Sequence, residues 1–137
     1  MSYLIDTNVV SELRKAKRCD AHVARWFAGI GDEEIFLSVL TLGELRRGID
    51  SIERRDRKSA SVLKEWFRGL VANFQEEILP VDRAIAEEWG RMNVPNRIPV
   101  VDGLLAATAQ VHGLTLAARN TRDLARTGVN CINPFLV

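Results

Sequence analysis

The opening stretch of the chain constrains the fold most, because a short apolar run changes abruptly into a helical pattern. Residues 3–5 are apolar and long enough for a strand that is buried on both faces. Asp6 ends the run, and Val9, Val10 and Leu13 follow at helical spacing. A strand that turns directly into a helix places Asp6 at the carboxyl end of that strand, where ligands bind in open α/β sheets. Asp6 could equally serve only as the helix N-cap.

The same alternation recurs along the chain. Short apolar runs near 35–39, 78–81, 114–118 and 129–132 are predicted to be strands, and amphipathic helical patterns separate them. The run at 78–81 contains Pro80, which cannot donate to a ladder and so predicts an edge strand. Strands that alternate with helices favour an α/β fold whose mainly parallel sheet is covered on both faces. A length of 137 residues predicts a single domain over 1–137.

Composition indicates an ordinary globular protein. A polyanion such as nucleic acid would have to bind to a local patch of basic residues, because the chain has little net charge. The net charge is only +1, with 47% hydrophobic residues. Cys19 and Cys131 form no CxxC pattern and are interpreted as reduced thiols of a cytosolic protein. The first residues lack the pattern of a signal peptide, and no apolar run approaches the roughly 18 residues of a membrane span. We therefore expect a cytoplasmic protein without membrane contact.

Four carboxylates lie at or beside predicted strand-to-helix junctions: Asp6, Glu44, Asp102 and Asp123. Asp6 and Asp123 follow strands directly, Glu44 lies about one helical turn beyond a strand, and Asp102 is near the start of a helix. A parallel sheet would bring these acids to one edge. Each acid alone has a simpler interpretation as a helix cap or a surface residue. Their conjunction is what predicts a functional site.

Clustered carboxylates without a cation repel one another, and each raises the pKa of its neighbours. Oxygen-rich clusters of this kind usually hold a hard divalent cation, which predicts Mg²⁺, with Mn²⁺ as the alternative. No soft-metal site is indicated, because His22 and His112 are isolated and the two cysteines are far apart in sequence. Acidic sites that bind Mg²⁺ most often act on phosphate esters.

Four short motifs carry a resemblance that runs over the whole chain. They are Leu-Ile-Asp-Thr-Asn at 4–8, Ser-Val-Leu-Thr-Leu-Gly-Glu-Leu-Arg-Arg-Gly at 38–48, Asp-Gly-Leu-Leu-Ala-Ala-Thr-Ala at 102–109 and Ala-Arg-Asn-Thr-Arg-Asp-Leu at 118–124. In this order the chain resembles a PIN domain, and more narrowly the VapC-type and FitB-like toxins of bacterial type II toxin–antitoxin pairs. The resemblance implies a three-layer α/β/α PIN-like fold and a Mg²⁺-dependent endoribonuclease that hydrolyses RNA by metal-activated water.

The resemblance also assigns roles to residues. Asp6, Glu44, Asp102 and Asp123 match the acidic quartet of the family, with Asp6 and Asp102 expected as direct metal ligands and the other two as ligands or holders of coordinated water. Three polar residues match positions that support the quartet: Asn8, Ser11 and Asn120. Arg119 and Arg122 flank the site and are predicted to contact RNA phosphates. Ala118 and Leu124 depart from the pattern, since many relatives have Thr and Phe there.

The partners implied by the resemblance are an RNA substrate, a cognate antitoxin and a second copy of the chain in a homodimer. Operator DNA would be bound only through the antitoxin. The apolar stripe at 63–74 is expected to contribute to the groove in which an antitoxin helix docks.

One alternative stays open: a catalytically inactive PIN-like module that binds RNA or protein, because retained acids do not prove turnover. Two other classes are disfavoured. A haloacid-dehalogenase-like phosphatase needs a second Asp where Asn8 stands. A receiver domain needs adjacent acids after the first strand and a Lys after the last, and neither is present.

Overall fold

A computed structural model describes residues 1–31 and 34–137 of the chain, and within them strands and helices alternate. The strands are β1 (Tyr3–Ile5), β2 (Ile35–Ser38), β3 (Ile78–Leu79), β4 (Thr115–Ala117) and β5 (Cys131–Ile132). The α-helices are α1 (Thr7–Arg14), α2 (Ala21–Ile30), α3 (Val39–Glu53), α4 (Arg57–Asn73), α5 (Arg83–Met92) and α6 (Val100–His112). Short 3₁₀ turns occupy Ala16–Arg18, Gln75–Glu77 and Ala125–Thr127.

The strands form one parallel sheet in the order β3-β2-β1-β4-β5. Tyr3 of the central strand β1 pairs with Ile35 on one side and with Thr115 on the other, so the carboxyl ends of these three strands lie at one edge. The predicted α/β fold with a mainly parallel sheet is confirmed. The edge position predicted from Pro80 is also confirmed, since β3 closes one side of the sheet.

The protein has two apolar cores, one on each face of the sheet. Adjacent residues of β1 belong to different cores. Leu4 packs with Leu105 and Leu116, in the core that holds α6 against the sheet. Ile5 packs on the other face with Val9 and Leu37, in the core that gathers α1, α2 and α3. Because successive strand residues point to opposite faces, this three-residue strand anchors both helical layers. Asp6 follows at the point where the strand leaves the sheet.

Several element boundaries differ from the sequence prediction. The predicted strand over 35–39 ends at Ser38, because the Ser38 hydroxyl accepts the N–H of Leu40 and starts α3. The turn at 119–124, which the sequence indicates should enter a helical piece, is followed only by the short 3₁₀ turn at Ala125–Thr127. The predicted strands at 114–118 and 129–132 are shorter in the structure, with only Thr115–Ala117 and Cys131–Ile132 paired.

The N-cap interpretation holds for Asp6 and is wrong for Asp102 and Asp123. Asp6 occupies the N-cap of α1. Pro99 precedes α6, so Asp102 is the third residue of that helix and caps nothing. Leu124, and not Asp123, occupies the position before the 3₁₀ turn. The side chains of Asp102 and Asp123 are therefore not consumed in helix capping.

Gly103, the neighbour of Asp102, lets α5 approach α6 closely. A Cβ atom at Gly103 would lie 3.0 Å from Cδ1 and 3.1 Å from Nε1 of Trp89 on α5. The indole of Trp89 thus occupies the space that any larger side chain at Gly103 would need. This contact fixes the first turn of α6, which carries Asp102.

Both cysteines are free thiols. No helix within the described ranges combines the length and the apolarity that crossing a membrane requires.

Candidate functional site

Asp6 is the most enclosed acid of the predicted quartet. It lies directly after β1 and is only 8% exposed. Its Oδ1 accepts the N–H of Val9 at 2.9 Å, which caps α1. The backbone N–H of Arg119, on the loop after β4, lies near the same carboxylate and favours its ionised form. Two backbone donors from two different elements therefore act on this carboxylate at the carboxyl edge of the sheet.

Burial raises the pKa of Asp6 to about 6. The Val9 and Arg119 N–H groups act in the opposite direction, because they stabilise the ionised carboxylate. The negative charges of Asp102 and Glu44 add to the rise. An opposite charge would lower this pKa, and no salt bridge to Asp6 forms within the described residues.

Glu44 lies in the second turn of α3, with its side chain 29% exposed. The hydroxyl of Thr7 donates to its Oε1 at 2.5 Å. Arg47, one turn further along α3, places Nη2 3.9 Å from Oε2, and its own side chain is 81% exposed. Such an exposed ion pair holds a carboxylate only weakly, so the Thr7 hydrogen bond is the main restraint on Glu44.

Asp102 is half-buried in the first turn of α6. Burial raises its pKa, and the charges of Glu44 and Asp123 add to that effect. No hydrogen bond or ion pair engages its side chain within the part of the chain that the structure describes. Its carboxyl group is thus partly desolvated and without a compensating partner, so the ionised form is unfavourable unless a cation joins it.

Asp123 is exposed on the turn between β4 and β5. Its nearest described polar partner is Asn120, whose Nδ2 lies 3.4 Å from Oδ2. That distance is at the long end for a hydrogen bond, so the interaction is weak. Asp123 is the most exposed acid of the four.

The structure brings the four predicted acids into one electrostatic neighbourhood at the carboxyl edge of the sheet. Asp6 is influenced by Asp102 and Glu44, and Asp102 is influenced by Glu44 and Asp123. Their assignment as metal ligands stays a prediction. Among residues 1–31 and 34–137, no three Asp, Glu, His or Cys side chains are grouped closely enough to hold a metal ion as they stand.

The donor set nevertheless fits a hard divalent cation. All four groups are carboxylates, and the two most enclosed, Asp6 and Asp102, have pKa values raised by burial and by like charge. The two outer acids, Glu44 and Asp123, retain exposed surface and can change side-chain rotamer. Oxygen donors with excess negative charge are what Mg²⁺ and Mn²⁺ require.

The three predicted supporting residues differ in their surroundings. Ser11 lines a cavity of about 170 Å³ together with Thr7 and Glu44. Asn120 makes the long contact with Asp123 described above. Asn8 is exposed, and its side chain makes no hydrogen bond to any residue within the described ranges. Their supporting roles remain predictions, with Ser11 and Asn120 close to acids of the quartet.

Both predicted RNA-contacting arginines are exposed on the loop after β4. The guanidinium of Arg119 lies over the ring of Phe135, with Cζ 4.5 Å from the ring centroid. Arg122 forms no ion pair in the part of the chain that the structure describes. The two residues that depart from the family pattern, Ala118 and Leu124, are both 2% exposed in the core under this loop.

Sequence reasoning missed two polar residues beside the site. The hydroxyl of Thr7 contacts Glu44 in another helix. Asn133 donates from Nδ2 to the backbone carbonyl of Arg119 at 2.9 Å. Contacts between residues 37 and 14 positions apart leave no trace in local periodicity. Only Thr7 carried a signal, because it lies inside the motif at 4–8.

An apolar groove leads to the acids from the side of α4. A cavity of about 160 Å³ is lined by Val10, Leu13, Phe27, Trp66 and Leu70, among others. Trp66 also lines the cavity of about 170 Å³ that contains Thr7, Ser11 and Glu44. Arg14 borders both cavities. The two cavities therefore adjoin, and the predicted apolar stripe of α4 forms one wall.

Comparison with known proteins gives one family match and similar full-length relatives. The family described as PIN domain matches residues 3–130. "Toxin FitB" from Neisseria gonorrhoeae is 32% identical over 96% of this chain and 97% of its own length. "VapC ribonuclease Y4jK" from Sinorhizobium fredii is 31% identical over 96% of each chain.

Solved structures agree with these sequence matches. FitAcB from Neisseria gonorrhoeae superposes with a TM-score of 0.89 at 30% identity, over 98% of this chain and 99% of the other. FitAB bound to an IR36 DNA fragment gives a TM-score of 0.86 at 29% identity, over 97% and 95% of the two chains. The likeness thus extends over almost the whole of each chain.

Proposed function

The chain belongs to the PIN domain family, and we propose that it is the toxin of a type II toxin–antitoxin system, a metal-dependent endoribonuclease. In this proposal residues 1–137 act as one PIN-like domain that hydrolyses phosphodiester bonds in RNA. Such a substrate would place its action in the cytoplasm. Relatives named FitB toxin and VapC ribonuclease support the toxin and nuclease assignments.

One observation carries the proposal: four carboxylates share an electrostatic neighbourhood, and the two most enclosed have no cationic partner among the described residues. Asp6 and Asp102 are held there by separate elements, β1 and α6. Burying like charges side by side costs free energy, and a divalent cation offsets that cost. A purely structural role for the acids would not explain why four like-charged side chains are grouped without a cation.

The proposed roles follow from burial and like charge, which raise the pKa values of Asp6 and Asp102 and so favour a cation beside these two carboxylates. Asp6 and Asp102 would bind Mg²⁺ or Mn²⁺ directly, while Glu44 and Asp123 would bind it directly or through water. A divalent cation there would make a bound water more acidic and neutralise charge on the phosphodiester. Arg119 and Arg122 would hold RNA phosphates beside the acids, and Ser11, Asn8 and Asn120 would orient carboxylates or water.

Cleavage of total RNA by the purified chain tests the proposal. We expect cleavage with Mg²⁺ or Mn²⁺, none with EDTA, and at least a 100-fold loss in Asp6→Asn. The matched control is Asp82→Asn. Asp82 also caps a helix that comes soon after a strand, by accepting an N–H three residues on at 3.0 Å, but it lies before α5 and outside the quartet.

The controls separate the two functions that the sequence left open. Full activity in Asp82→Asn together with loss in Asp6→Asn would assign cleavage to the quartet and not to helix capping. Equal cleavage by wild type and Asp6→Asn would indicate a contaminating nuclease. No cleavage by the antitoxin-free chain with either metal would favour the inactive RNA- or protein-binding module.

We also propose a cognate antitoxin as the partner that covers the apolar groove. The structural neighbours are toxin–antitoxin complexes, which supports such a partner for this chain. The groove combines an aromatic wall at Trp66 with a polar end at Glu44. It is therefore suited to a helix with one apolar face. Operator DNA would be bound only through the antitoxin, and the toxin would form a homodimer.

Growth assays and solution mass test the partner assignments. Expression of the chain alone should arrest growth of a bacterial host, and coexpression of the cognate antitoxin should relieve the arrest. Leu70→Asp in the groove should prevent relief, whereas Val62→Asp on the exposed face of α4 should not. A monomeric mass in light scattering would contradict the homodimer.

A further inference from the structure

The residues just after β5 hold the loop that supports Asp6. Asn133 donates from Nδ2 to the carbonyl oxygen of Arg119 at 2.9 Å, and its Oδ1 accepts the N–H of Phe135 at 2.9 Å. Both ends of the Asn133 amide are therefore engaged. The intervening Pro134 is fully buried, which fixes the course of the backbone between Asn133 and Phe135.

Arg119 is consequently restrained at three points. Its N–H lies near the Asp6 carboxylate and favours the ionised form, its carbonyl accepts from Asn133, and its guanidinium lies 4.5 Å from the centroid of the Phe135 ring. A cation over an aromatic ring is attracted to the ring face. Two of the three restraints come from the segment 133–135, and the third is made to the proposed metal ligand.

We propose that Asn133 is a positioning residue for the acidic site: it fixes the Arg119 backbone so that the Arg119 N–H holds the Asp6 carboxylate in its metal-binding orientation. The inference rests on the proposed function, because it takes Asp6 to be a metal ligand. Asn133 makes no hydrogen bond with any of the four acids within the described residues.

Direct Mn²⁺ binding tests this role without relying on turnover. Asn133→Asp keeps an oxygen for the Phe135 N–H but loses the donor to Arg119. Asn133→Ser adds no charge and leaves only a shorter hydroxyl in place of the two separate amide groups. Groups that orient metal ligands typically affect metal affinity 10- to 100-fold when lost. We expect the Mn²⁺ dissociation constant to rise about tenfold in both variants. Asn130→Asp is the control for added charge, since Asn130 is exposed and precedes β5 at the opposite edge of the sheet.

Amide hydrogen exchange gives the second readout, at Arg119 itself. Exchange of the Arg119 N–H should accelerate in both Asn133 variants and stay unchanged in Asn130→Asp. Faster exchange with an unchanged Mn²⁺ dissociation constant would show that the contact is merely structural and overturn the proposal. An unchanged exchange rate in folded Asn133→Ser would overturn it equally.

Wild-type measurements keep the proposal testable should the variants not fold. If the segment 133–135 holds the loop, the amides of Arg119 and Phe135 should exchange together in the unmodified chain. Arg119 protection that outlasts Phe135 protection by orders of magnitude would overturn the proposal. Failure of the function itself has a different signature: wild type would neither bind Mn²⁺ nor cleave RNA, whatever the exchange rates.

Discussion

Thr7 and Glu44 join α1 to α3 at the carboxyl edge of the sheet, because the Thr7 hydroxyl donates to Glu44 Oε1 at 2.5 Å. Thr7 is the first residue after Asp6, so the same turn caps α1 through Asp6 and orients Glu44 through Thr7. One short connection between a strand and a helix therefore supplies one acid of the proposed quartet and restrains another.

Thr7→Val should lower RNA cleavage about tenfold, because the Glu44 carboxylate loses its hydrogen-bond donor while the side-chain shape is kept. Thr7→Ser should retain most of the activity, since it keeps the hydroxyl. The measurement is kcat and KM on a defined RNA with saturating Mg²⁺. Equal kcat in Thr7→Val and wild type would contradict a role for this contact.

Thr41→Val provides the matched control for the loss of a hydroxyl. The Thr41 side chain is fully buried and its Oγ1 has no hydrogen-bond partner within the described ranges. Replacing an unsatisfied buried hydroxyl by a methyl group should be neutral or stabilise the fold by about 1 kcal/mol. We expect an unchanged cleavage rate and an unfolding midpoint in urea that is equal or higher.

The fold could be predicted from the sequence because short apolar runs and amphipathic patterns alternate without interruption. That alternation requires helical crossovers, and such crossovers require a parallel sheet. Asp6 was placed correctly for the same reason, since its position depends only on where β1 ends. The boundary at Ser38 was less certain, because a buried Ser can continue a strand or cap a helix, and the hydrogen bond to Leu40 decides between them.

The supports of the acids could not be predicted in this way. The N–H of Arg119 reaches Asp6 only because β4 lies beside β1, and Asn133 reaches Arg119 only because β5 lies beside β4. These contacts depend on strand order, which periodicity does not encode. Backbone donors are also present at every residue except proline, so the sequence does not mark the ones that matter.

Gly103→Ala should destabilise the fold, whereas Gly69→Ala should not, although both glycines lie inside helices. In an open helical position this change stabilises by about 0.5–1 kcal/mol. Nothing lies within 4 Å of a Cβ at Gly69, but a Cβ at Gly103 would lie 3.0 Å from Trp89. Overpacking of this kind costs roughly 1–3 kcal/mol.

Urea denaturation of the two variants beside wild type checks the contrast. We expect a lower midpoint for Gly103→Ala and a higher midpoint for Gly69→Ala. Cleavage by Gly103→Ala should also fall, because the adjacent Asp102 shifts with the first turn of α6. Equal stabilisation by both changes would show that the Trp89 indole can move aside without a cost in stability.

Arg122→Gln should weaken RNA binding and leave the chemical step unchanged, because the side chain is exposed and lies beside the acids without an ion pair among the described residues. Losing one phosphate contact to single-stranded RNA should lower the slope of log affinity against log salt by about 0.7. The measurement is fluorescence anisotropy of labelled RNA with EDTA present. Arg83→Gln is the control, since Arg83 pairs with Glu87 and its side chain is 93% exposed on α5.

Asp6 should make the stability of the chain fall as the pH rises through the window from about 4 to about 6. Its pKa in the folded chain is about 6, above the ordinary value of 3.8. In that window the unfolded chain releases the proton first, so the folded state is disfavoured with increasing pH. The full difference corresponds to about 3 kcal/mol above pH 6. Asp6→Asn removes this contribution and keeps an oxygen for the Val9 N–H.

The decisive quantity is the free energy of unfolding of Asp6→Asn minus that of wild type, measured in urea with EDTA at about pH 4.5 and about pH 7.5. We expect this difference to grow with pH, because ionised Asp6 penalises only the wild-type fold, both through its own burial and through its repulsion of Asp102 and Glu44. Added Mn²⁺ should then raise the wild-type midpoint at the higher pH far more than that of Asp6→Asn, because it stabilises the ionised carboxylate. A difference that is constant with pH would contradict the raised pKa, and an equal response to Mn²⁺ would remove Asp6 from the proposed metal site.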